Sequence, residues 1–381
     1  MIRIVLTGGG SGGHMFPLVA VVGEIKTLSH DAPELIYLGA SSPFLPQLKA
    51  SGVVIRTIVS SKFRRYFDFR NVIDIPKFFI SLFQALIELY FIMPDVVFSK
   101  GGPGALAVIL AARFYLIPVI IHESDTVPGL TNRLSAYFAE RIGIAFRSAA
   151  TYFPSSKTAF VGNPVRKELT KGLIGKVEAK ERLGFGPNDA LLLVLTGSQG
   201  STRINTFIFD NIELLLADVQ IYHQVGGNNI KEAEQVLSLL RASPGVHSDR
   251  YHIAGHLTVE EMASVLSAAD IIISRAGAGA IYEIAASGKP AILIPLDESA
   301  NDHQRQNAYE YAKSGAGTVI EEANFRVNLV LNQIHEFIDD KDKLAAIENS
   351  AKQFFKPDAA LTLAREILFL AKYVTEPLKT A

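Results

Sequence analysis

The chain has 381 residues, 49% of them hydrophobic, and a formal net charge of −1, long and apolar enough for two domains with a core each. It has no cysteine, which excludes a disulfide framework and a cysteine-rich metal site and fits a reducing compartment. Residues 1–163 carry 15 Lys and Arg against 10 Asp and Glu, the remainder 22 against 28, so a basic half precedes an acidic one and an anionic surface is an expected partner of the first.

The chain enters an apolar strand at 2–6 without the pattern of a secretory leader, so secretion is not expected. The loop Gly8-Gly9-Gly10-Ser11-Gly12-Gly13-His14 and a helix over 16–28 follow. Further strands are predicted at 35–38, 53–58, 96–98, 118–121, 142–145 and 158–161, with helices at 43–50, 76–91, 105–114 and 130–138. Short apolar strands between longer helices predict a doubly wound parallel sheet with right-handed connections. Gly162-Asn163-Pro164 marks the boundary.

The second half repeats the scheme. Strands are predicted at 191–195, 220–223, 251–253, 271–274, 291–294 and 317–320, and helices at 202–216, 231–240, 259–268, 278–286, 302–314, 325–337, 341–354 and 359–373. Its first strand again runs into a glycine-rich loop, Gly197-Ser198-Gln199-Gly200-Ser201. Such strand–turn–helix junctions suit phosphate, because glycine admits close approach and the helix start offers N–H groups and a positive dipole end. Two of them in two similar halves suggest one substrate held across a cleft.

Between 62 and 83, Phe63, Tyr66, Phe67, Phe69, Phe78, Phe79 and Phe83 alternate with Lys62, Arg64, Arg65, Arg70 and Lys77. This pattern fits a segment lying in a membrane interface; an ordinary loop followed by a core-facing helix is the alternative. No segment is expected to span a bilayer. The stretch 78–93 is short and holds Gln84 and Glu88, and 105–121 is broken by Arg113 and Pro118, where a span needs ~20 apolar residues.

Gly8 to Gly13 satisfies G-x-G-x-x-G, but the second strand ends Tyr37-Leu38-Gly39-Ala40-Ser41-Ser42 with no carboxylate for a ribose, which argues against a dinucleotide. His14 closes the loop at a helix start, where the dipole disfavours its charged form; a neutral imidazole can take a proton from a hydroxyl. The alternative is a histidine that only braces the loop. Arg275-Ala276-Gly277-Ala278-Gly279-Ala280 forms a third small-residue loop, and Glu283, expected in the first turn of the following helix, suits ribose hydroxyls or the helix dipole. His122-Glu123-Ser124-Asp125 lies just past a strand, where open α/β sheets bind ligands. Asp302-His303-Gln304 with Asn307 forms a polar cluster at another helix start, for a ligand or simply for capping. His223, His252 and His256 lack ligand spacing and Asp340-Lys341-Asp342 reads as a solvated turn, so no metal site is expected.

Taken in order, several motifs together resemble a known family: 9–17, 118–123, Gly129-Leu130-Thr131-Asn132, Val161-Gly162-Asn163-Pro164-Val165-Arg166, Gly197-Ser198-Gln199-Gly200, His223-Gln224, Arg275-Ala276-Gly277, Glu283-Ile284-Ala285-Ala286, and His303-Gln304 with Asn307. It is the MurG family of GT-B glycosyltransferases, which move N-acetylglucosamine from its UDP donor to a lipid-linked muramyl-pentapeptide in peptidoglycan synthesis. The resemblance runs through nearly the whole chain. It implies an acceptor and membrane-side domain over 1–163, a UDP-sugar domain over 164–358, and a last helix, about 359–381, packing back on the first; the domains would face across a cleft. The reaction implied is inverting transfer to the C4 hydroxyl of the muramyl sugar on a polyprenyl diphosphate, lipid I to lipid II.

The resemblance also distributes roles. His14 becomes the first choice of general base, with Glu123 and Asp125 as lesser candidates. Donor contacts would come from Ser198, Val259, Gly277, Ala278, Gly279, Ala280, Glu283, His303 and Gln304, joined by Ser11, Gly12, Gly13, Asp125 and Arg166. The acceptor diphosphate would lie on Gly10, Ser11, Gly12, Gly13 and His14, near Asn132. No tightly bound cofactor or metal is implied, since helix N-termini stabilise the departing diphosphate. Expected partners are UDP-N-acetylglucosamine, the lipid-linked acceptor, an anionic membrane and proteins of wall synthesis and division, but no nucleic acid; the expected location is peripheral, on the cytoplasmic face of the inner membrane. Two residues depart from the family pattern: Asp125 stands where Asn is common, and Pro103 replaces the aromatic after Gly101-Gly102. A transferase for another lipid acceptor, a UDP-sugar epimerase and a non-catalytic precursor-binding paralogue are the rival readings.

Overall fold

All strand pairing in the two sheets is parallel. The computed structural model describes residues 2–29, 32–60, 70–197, 199–245 and 247–372, and their side chains except at 70–73 and 300. The chain divides into two units, Met1–Arg166 with Lys356–Ala381, and Lys167–Phe355.

The first unit holds β1 (Arg3–Thr7), β2 (Glu34–Gly39), β3 (Val54–Thr57), β4 (Val96–Ser99), β5 (Val119–Glu123), β6 (Arg141–Ile144) and β7 (Thr158–Phe160) in the order β3-β2-β1-β4-β5-β6-β7. Its helices are α1 (Gly12–Leu28), α2 (Leu45–Ala50), α3 (Arg70–Ile92), α4 (Ala105–Phe114) and α5 (Leu130–Ser135). The strand direction of progress reverses between β1 and β4, so the loops leaving these two strands part to opposite faces and open a crevice at their carboxyl ends. Val5, Leu6, Val97, Phe98, Ile120 and Ile121 are all buried, as a parallel sheet covered on both faces requires.

The second unit holds β8 (Leu191–Leu195), β9 (Gln220–Gln224), β10 (Tyr251–Ala254), β11 (Ile271–Ser274), β12 (Ala291–Leu293) and β13 (Gly317–Val319) in the order β10-β9-β8-β11-β12-β13. Around it lie α6 (Glu168–Lys171), α7 (Lys176–Arg182), α8 (Thr202–Asp210), α9 (Ile212–Asp218), α10 (Ile230–Ala242), α11 (Val259–Ala268), α12 (Ala278–Ser287), α13 (His303–Lys313), α14 (Val327–Asp339) and α15 (Lys341–Phe354). Here the switch lies between β8 and β11. The single helix predicted over 202–216 is two helices. Asn211 leaves helical geometry at φ −119°, ψ 15°, and its side-chain amide donates to the Phe207 carbonyl at 2.8 Å, a local bond that competes with the helix.

α16 (Ala359–Leu370) belongs to the first unit. Leu363, Ala364, Ile367 and Leu368 enter one core with Leu18, Val22 and Ile25 of α1, and Arg141 on β6 reaches Glu366 at 2.8 Å. The sequence predicted this helix to 373; residues 373–381 lie outside the described residues.

α3 overturns one expectation. It begins at Arg70 instead of 76, passes through Pro76, and its Asp74–Ile92 stretch is long and apolar enough to cross a membrane by length and composition. Pro76 is the seventh residue of the helix and lies inside it; it costs one i→i−4 hydrogen bond, which the packing of the later turns on α4 outweighs, so it does not mark the helix start. One line of the helix, Ser81, Ala85, Leu89 and Ile92, is buried, the last three in a core shared with α4.

Because α16 closes the core around α1, Ile367→Ala should destabilise the first unit by about 2–5 kcal/mol. Denaturant unfolding should show one early transition, with the second unit's transition unmoved; coincident unaltered transitions would show that α16 adds little.

Candidate active site

The first crevice begins with the loop after β1. Two of its carbonyls are tied inward: Tyr37 donates its hydroxyl to the Gly8 carbonyl at 2.9 Å, and Ser42 donates to the Gly10 carbonyl at 2.9 Å. In a trans peptide the next N–H points the opposite way, so the Gly9 and Ser11 amides are turned away from these anchors. Ser11 is the N-cap of α1 yet makes no capping bond; its hydroxyl instead meets His14 Nδ1 at 2.7 Å. The first-turn amides of Gly12 and Gly13 therefore lack a partner within the helix, which is what an anion at a helix start uses.

Glycine is required where this loop meets the one after β4. Gly102 has φ +87°, and a Cβ on it would stand 2.6 Å from the Gly9 Cα; a Cβ on Gly9 would stand 2.9 Å from Pro103 Cδ. Pro103, where the family pattern has an aromatic, thus fills the floor beneath Gly9.

Behind the loops lies a buried polar cluster. Lys100, at the end of β4, is 2% exposed. Its Nζ lies 2.5 Å from His122 Nδ1, 2.5 Å from Ser124 Oγ and 3.5 Å from Asn163 Oδ1. His122 Nε2 meets the Gly162 carbonyl at 2.8 Å. A carbonyl only accepts, so Nε2 carries the proton and Nδ1 accepts from Lys100. Both carboxylate oxygens of Glu123 are engaged: Oε1 accepts from the Asp125 amide at 3.0 Å, Oε2 from Asn132 Nδ2 at 3.0 Å and the Gly129 amide at 3.3 Å. Asn132 also donates to the His122 carbonyl at 3.2 Å. Asn132 is therefore buried behind Glu123, bracing the 123–129 loop.

Burial sets the protonation here. His14 is pushed down to about 4, first by desolvation and then by Lys100, with Asp125 opposing. His122 is lowered by the same two causes. Glu123 is raised by burial and then by the neighbouring Asp125 charge. At neutral pH, His14 is an uncharged imidazole with a hydroxyl on Nδ1. In the tautomer that accepts a proton, Nδ1–H donates to Ser11 and Nε2 carries the lone pair. Arg166 stacks on the Phe16 ring, 4.2 Å from its centroid, and Phe16 meets Phe44 edge-on at 5.3 Å, placing a cation beside the start of α1.

The second unit has its own loops. Gly197 and Gly200 both have positive φ; Gln224 joins the Gly197 amide and carbonyl at 3.2 and 2.9 Å. Ser198 lies outside the described residues. Val259 opens α11 behind a capping box of Thr258 and Glu261. Gly277 is the N-cap of α12 without a side-chain cap, so the amides of Ala278, Gly279 and Ala280 open the helix. Glu283 is the sixth residue of α12, not in its first turn as expected, because the helix starts at once after Gly277. Asn307 of α13 donates to the Ala276 carbonyl at 3.2 Å, fixing this loop against α13. His303 and Gln304 open α13. The Gln304 carbonyl accepts from the Leu296 amide at 3.2 Å, which orients its amide nitrogen. His223 is buried between Tyr251 and Asn205, each at 3.0 Å, a core histidine.

The structure thus gathers Ser11, His14, Glu123, Asp125 and Asn132 in the first unit, and Gly277 to Ala280 with His303 and Gln304 around α12 and α13 in the second. Lys100 was missed. Its signal was a lone lysine between an apolar strand and two glycines, at the switch point of the predicted sheet.

Residues 4–144 match the glycosyltransferase family 28 N-terminal domain, and residues 191–363 the family's C-terminal domain. The chain is 33% identical over 344 residues to a protein of Clostridium botulinum (strain Loch Maree / Type A3), 90% of this chain and 92% of that one. That protein is named UDP-N-acetylglucosamine–N-acetylmuramyl-(pentapeptide) pyrophosphoryl-undecaprenol N-acetylglucosamine transferase. The crystal structure of Acinetobacter baumannii MurG aligns with a TM-score of 0.71 at 25% identity, covering 97% of this chain and all of that one. A UDP-GlcNAc 2-epimerase from Neisseria meningitidis aligns with a TM-score of 0.68 at 15% identity, over 96% and 99%; this likeness is one of fold.

Gly102→Ala should lower stability by about 1–3 kcal/mol, from a strained φ and a collision with Gly9, and raise the KM of a lipid-linked acceptor. Gly23→Ala, with open space around its Cβ inside α1, should instead stabilise by about 0.5–1 kcal/mol. Thermal unfolding of both variants checks the pair; equal effects would remove the loop contact as the cause.

Proposed function

The chain belongs to glycosyltransferase family 28, and on that premise we infer that it transfers N-acetylglucosamine from UDP-N-acetylglucosamine to N-acetylmuramyl-pentapeptide on pyrophosphoryl-undecaprenol, the step from lipid I to lipid II of peptidoglycan synthesis. The observation that carries the chemical reading is a neutral histidine closing an uncapped helix N-terminus, Ser11 to His14. The acceptor diphosphate lies on the amides of Gly12 and Gly13, and His14 takes the proton of the C4 hydroxyl as its oxygen attacks the anomeric carbon. The glycosidic bond to UDP breaks with inversion. The leaving diphosphate gains its hydrogen bonds from the start of α12, while Glu283 holds the ribose and His303 with Gln304 the sugar. Glu123, with both oxygens engaged, supports the loop that carries Asp125.

Release of UDP, measured with UDP-N-acetylglucosamine with and without a lipid-linked muramyl acceptor, tests the reaction. His14→Ala should lower kcat by ~10²–10⁴ with donor KM changed far less; near-normal turnover removes His14 from the chemistry. UDP release that ignores the acceptor favours hydrolysis of the donor, and donor converted to another UDP-sugar with no UDP released favours an epimerase.

The same reading places the first unit on an anionic bilayer. Phe79, Phe83, Ile87, Tyr90 and Phe91 of α3 are exposed, as are Phe114 and Leu116 at the end of α4. Tyr90 and Tyr115, with centroids 6.5 Å apart, join the two clusters. Leu116 is 76% exposed and, like Met93, has positive φ without being glycine, so apolar side chains sit at turns where Gly or Asn is usual. A contiguous apolar face of this kind, on the basic half of the chain, supports a surface that lies on lipid. The basic residues Lys62, Arg64 and Arg65 lie outside the described residues, as does the Arg70 side chain; Lys77 is 3.8 Å from Asp74.

Phe79, Phe83 and Phe91 changed together to Ser should abolish most sedimentation with anionic vesicles, each buried Phe contributing ~1.5–3 kcal/mol, while turnover of a short-chain soluble acceptor barely changes. Unaltered vesicle binding would move the contact to another face.

A further inference from the structure

The polar cluster behind the glycine loops holds a charge that the transfer chemistry leaves unused. Lys100 Nζ has three neighbours, and each accepts: His122 Nδ1, whose tautomer is fixed by the Gly162 carbonyl, Ser124 Oγ, which donates onward to Asn163 at 3.1 Å, and Asn163 Oδ1. Three acceptors match the three protons of an ammonium. A neutral amine would turn its lone pair against one of theirs. The ammonium therefore joins the end of β4, the end of β5 and the Gly162-Asn163 turn.

The loop that carries Lys100 meets His14. A Cβ on Gly102 would stand 3.2 Å from His14 Nε2, and one on Gly8 would stand 3.5 Å from the Lys100 Cβ and 3.7 Å from the His14 Cβ, so the two side chains leave the backbone on either side of Gly8 and the Lys100 charge acts on the His14 ring across the cluster. We propose that Lys100 is a positioning residue of the transfer reaction: its buried, fully hydrogen-bonded ammonium repels a proton from His14 and keeps that imidazole able to accept one from the acceptor hydroxyl. This rests on His14 as the base.

The other groups around His14 are few. Ser11 is its direct partner, and Asp125, from the loop after β5, is the one nearby charge that favours protonation. Glu123 stands behind Asp125, held by Asn132, and His122 is kept uncharged. The first turn of α1 has no acid. α2 and α16, which also pack on α1, bring Lys49, Arg365 and Glu366, the last paired with Arg141. Arg166 is held over the Phe16 ring and is partly exposed; Lys100 is the buried cation, and the one that opposes Asp125 at His14. Burial lowers Lys100 itself, with Glu123 and Asp125 pulling the other way; at the acid pH where His14 could gain a proton, the lysine is charged.

The test is the titration of His14 in the folded full chain by ¹⁵N NMR, its signal assigned by loss in His14→Gln, in the parent, Lys100→Met and Lys100→Gln. The parent should titrate near 4. Either variant should move the midpoint up by about one pH unit, toward the ordinary 6.5. The acid limb of kcat/KM for UDP release should move with it: about a tenfold loss below the limb and little at pH 8. A parent His14 titrating near 6.5 overturns the proposal without any variant. So does a folded variant whose His14 midpoint stays in place, or whose activity falls equally at all pH values. His14→Ala with normal turnover would instead sink the base assignment while leaving the measured coupling of Lys100 to His14 intact, so the two failures are distinguishable.

Discussion

A parallel sheet buried on both faces can place polar chemistry only at its ends. In this chain β4, β8 and β11 are buried along their length and β1 from Ile4 onward, so each must finish in a loop that supplies the donors and acceptors the interior refuses. The crossover rule then decides which loops part from one another. In the first unit they are the loops after β1 and β4, in the second those after β8 and β11. His14, Glu123, Asp125, Gly277 to Ala280, His303 and Gln304 all stand at or just beyond a strand end or in the first turn of a helix that follows one.

Close approach of those loops imposes a second condition. Gly9 and Gly102 touch backbone to backbone, which only glycine allows, and the contact brings the His14 ring over the second loop. Charge is then handled by enclosure. A lone buried ammonium or carboxylate would cost several kcal/mol. Lys100 and Glu123 avoid that cost by occupying nearly all of their hydrogen-bonding positions with neutral partners. The result is an interior polar frame whose electric field falls on a histidine with little direct contact to it.

The apolar face of α3 shows the opposite economy. Its buried line anchors it to α4 and the sheet, while Phe83 and Phe91 remain 65% and 72% exposed. Exposed apolar area of this extent marks a contact surface, and Met93 and Leu116, both at positive φ, extend it. A helix apolar on its outer face as well as its inner one fits the proposed contact with a lipid surface.

The sequence by itself determined the α/β alternation, the strand positions and the glycine loops, because buried parallel strands are continuous apolar runs and turn chemistry is local. It also carried the family, through motifs that keep their order along the chain. Its errors were of range and depth. Asn211 broke a helix through one side-chain bond, and Pro76 hid the true start of α3. The bond from Asn132 to Glu123, nine residues apart, is set by how α5 folds back on β5. Lys100 was invisible as a participant, since nothing local says that a lysine after β4 will meet residues 122, 124 and 163. Such a cluster is assembled from segments far apart in the chain, and only the packing of β4 against β5 and the turn after β7 decides that their side chains share one buried space, where desolvation makes their charges matter.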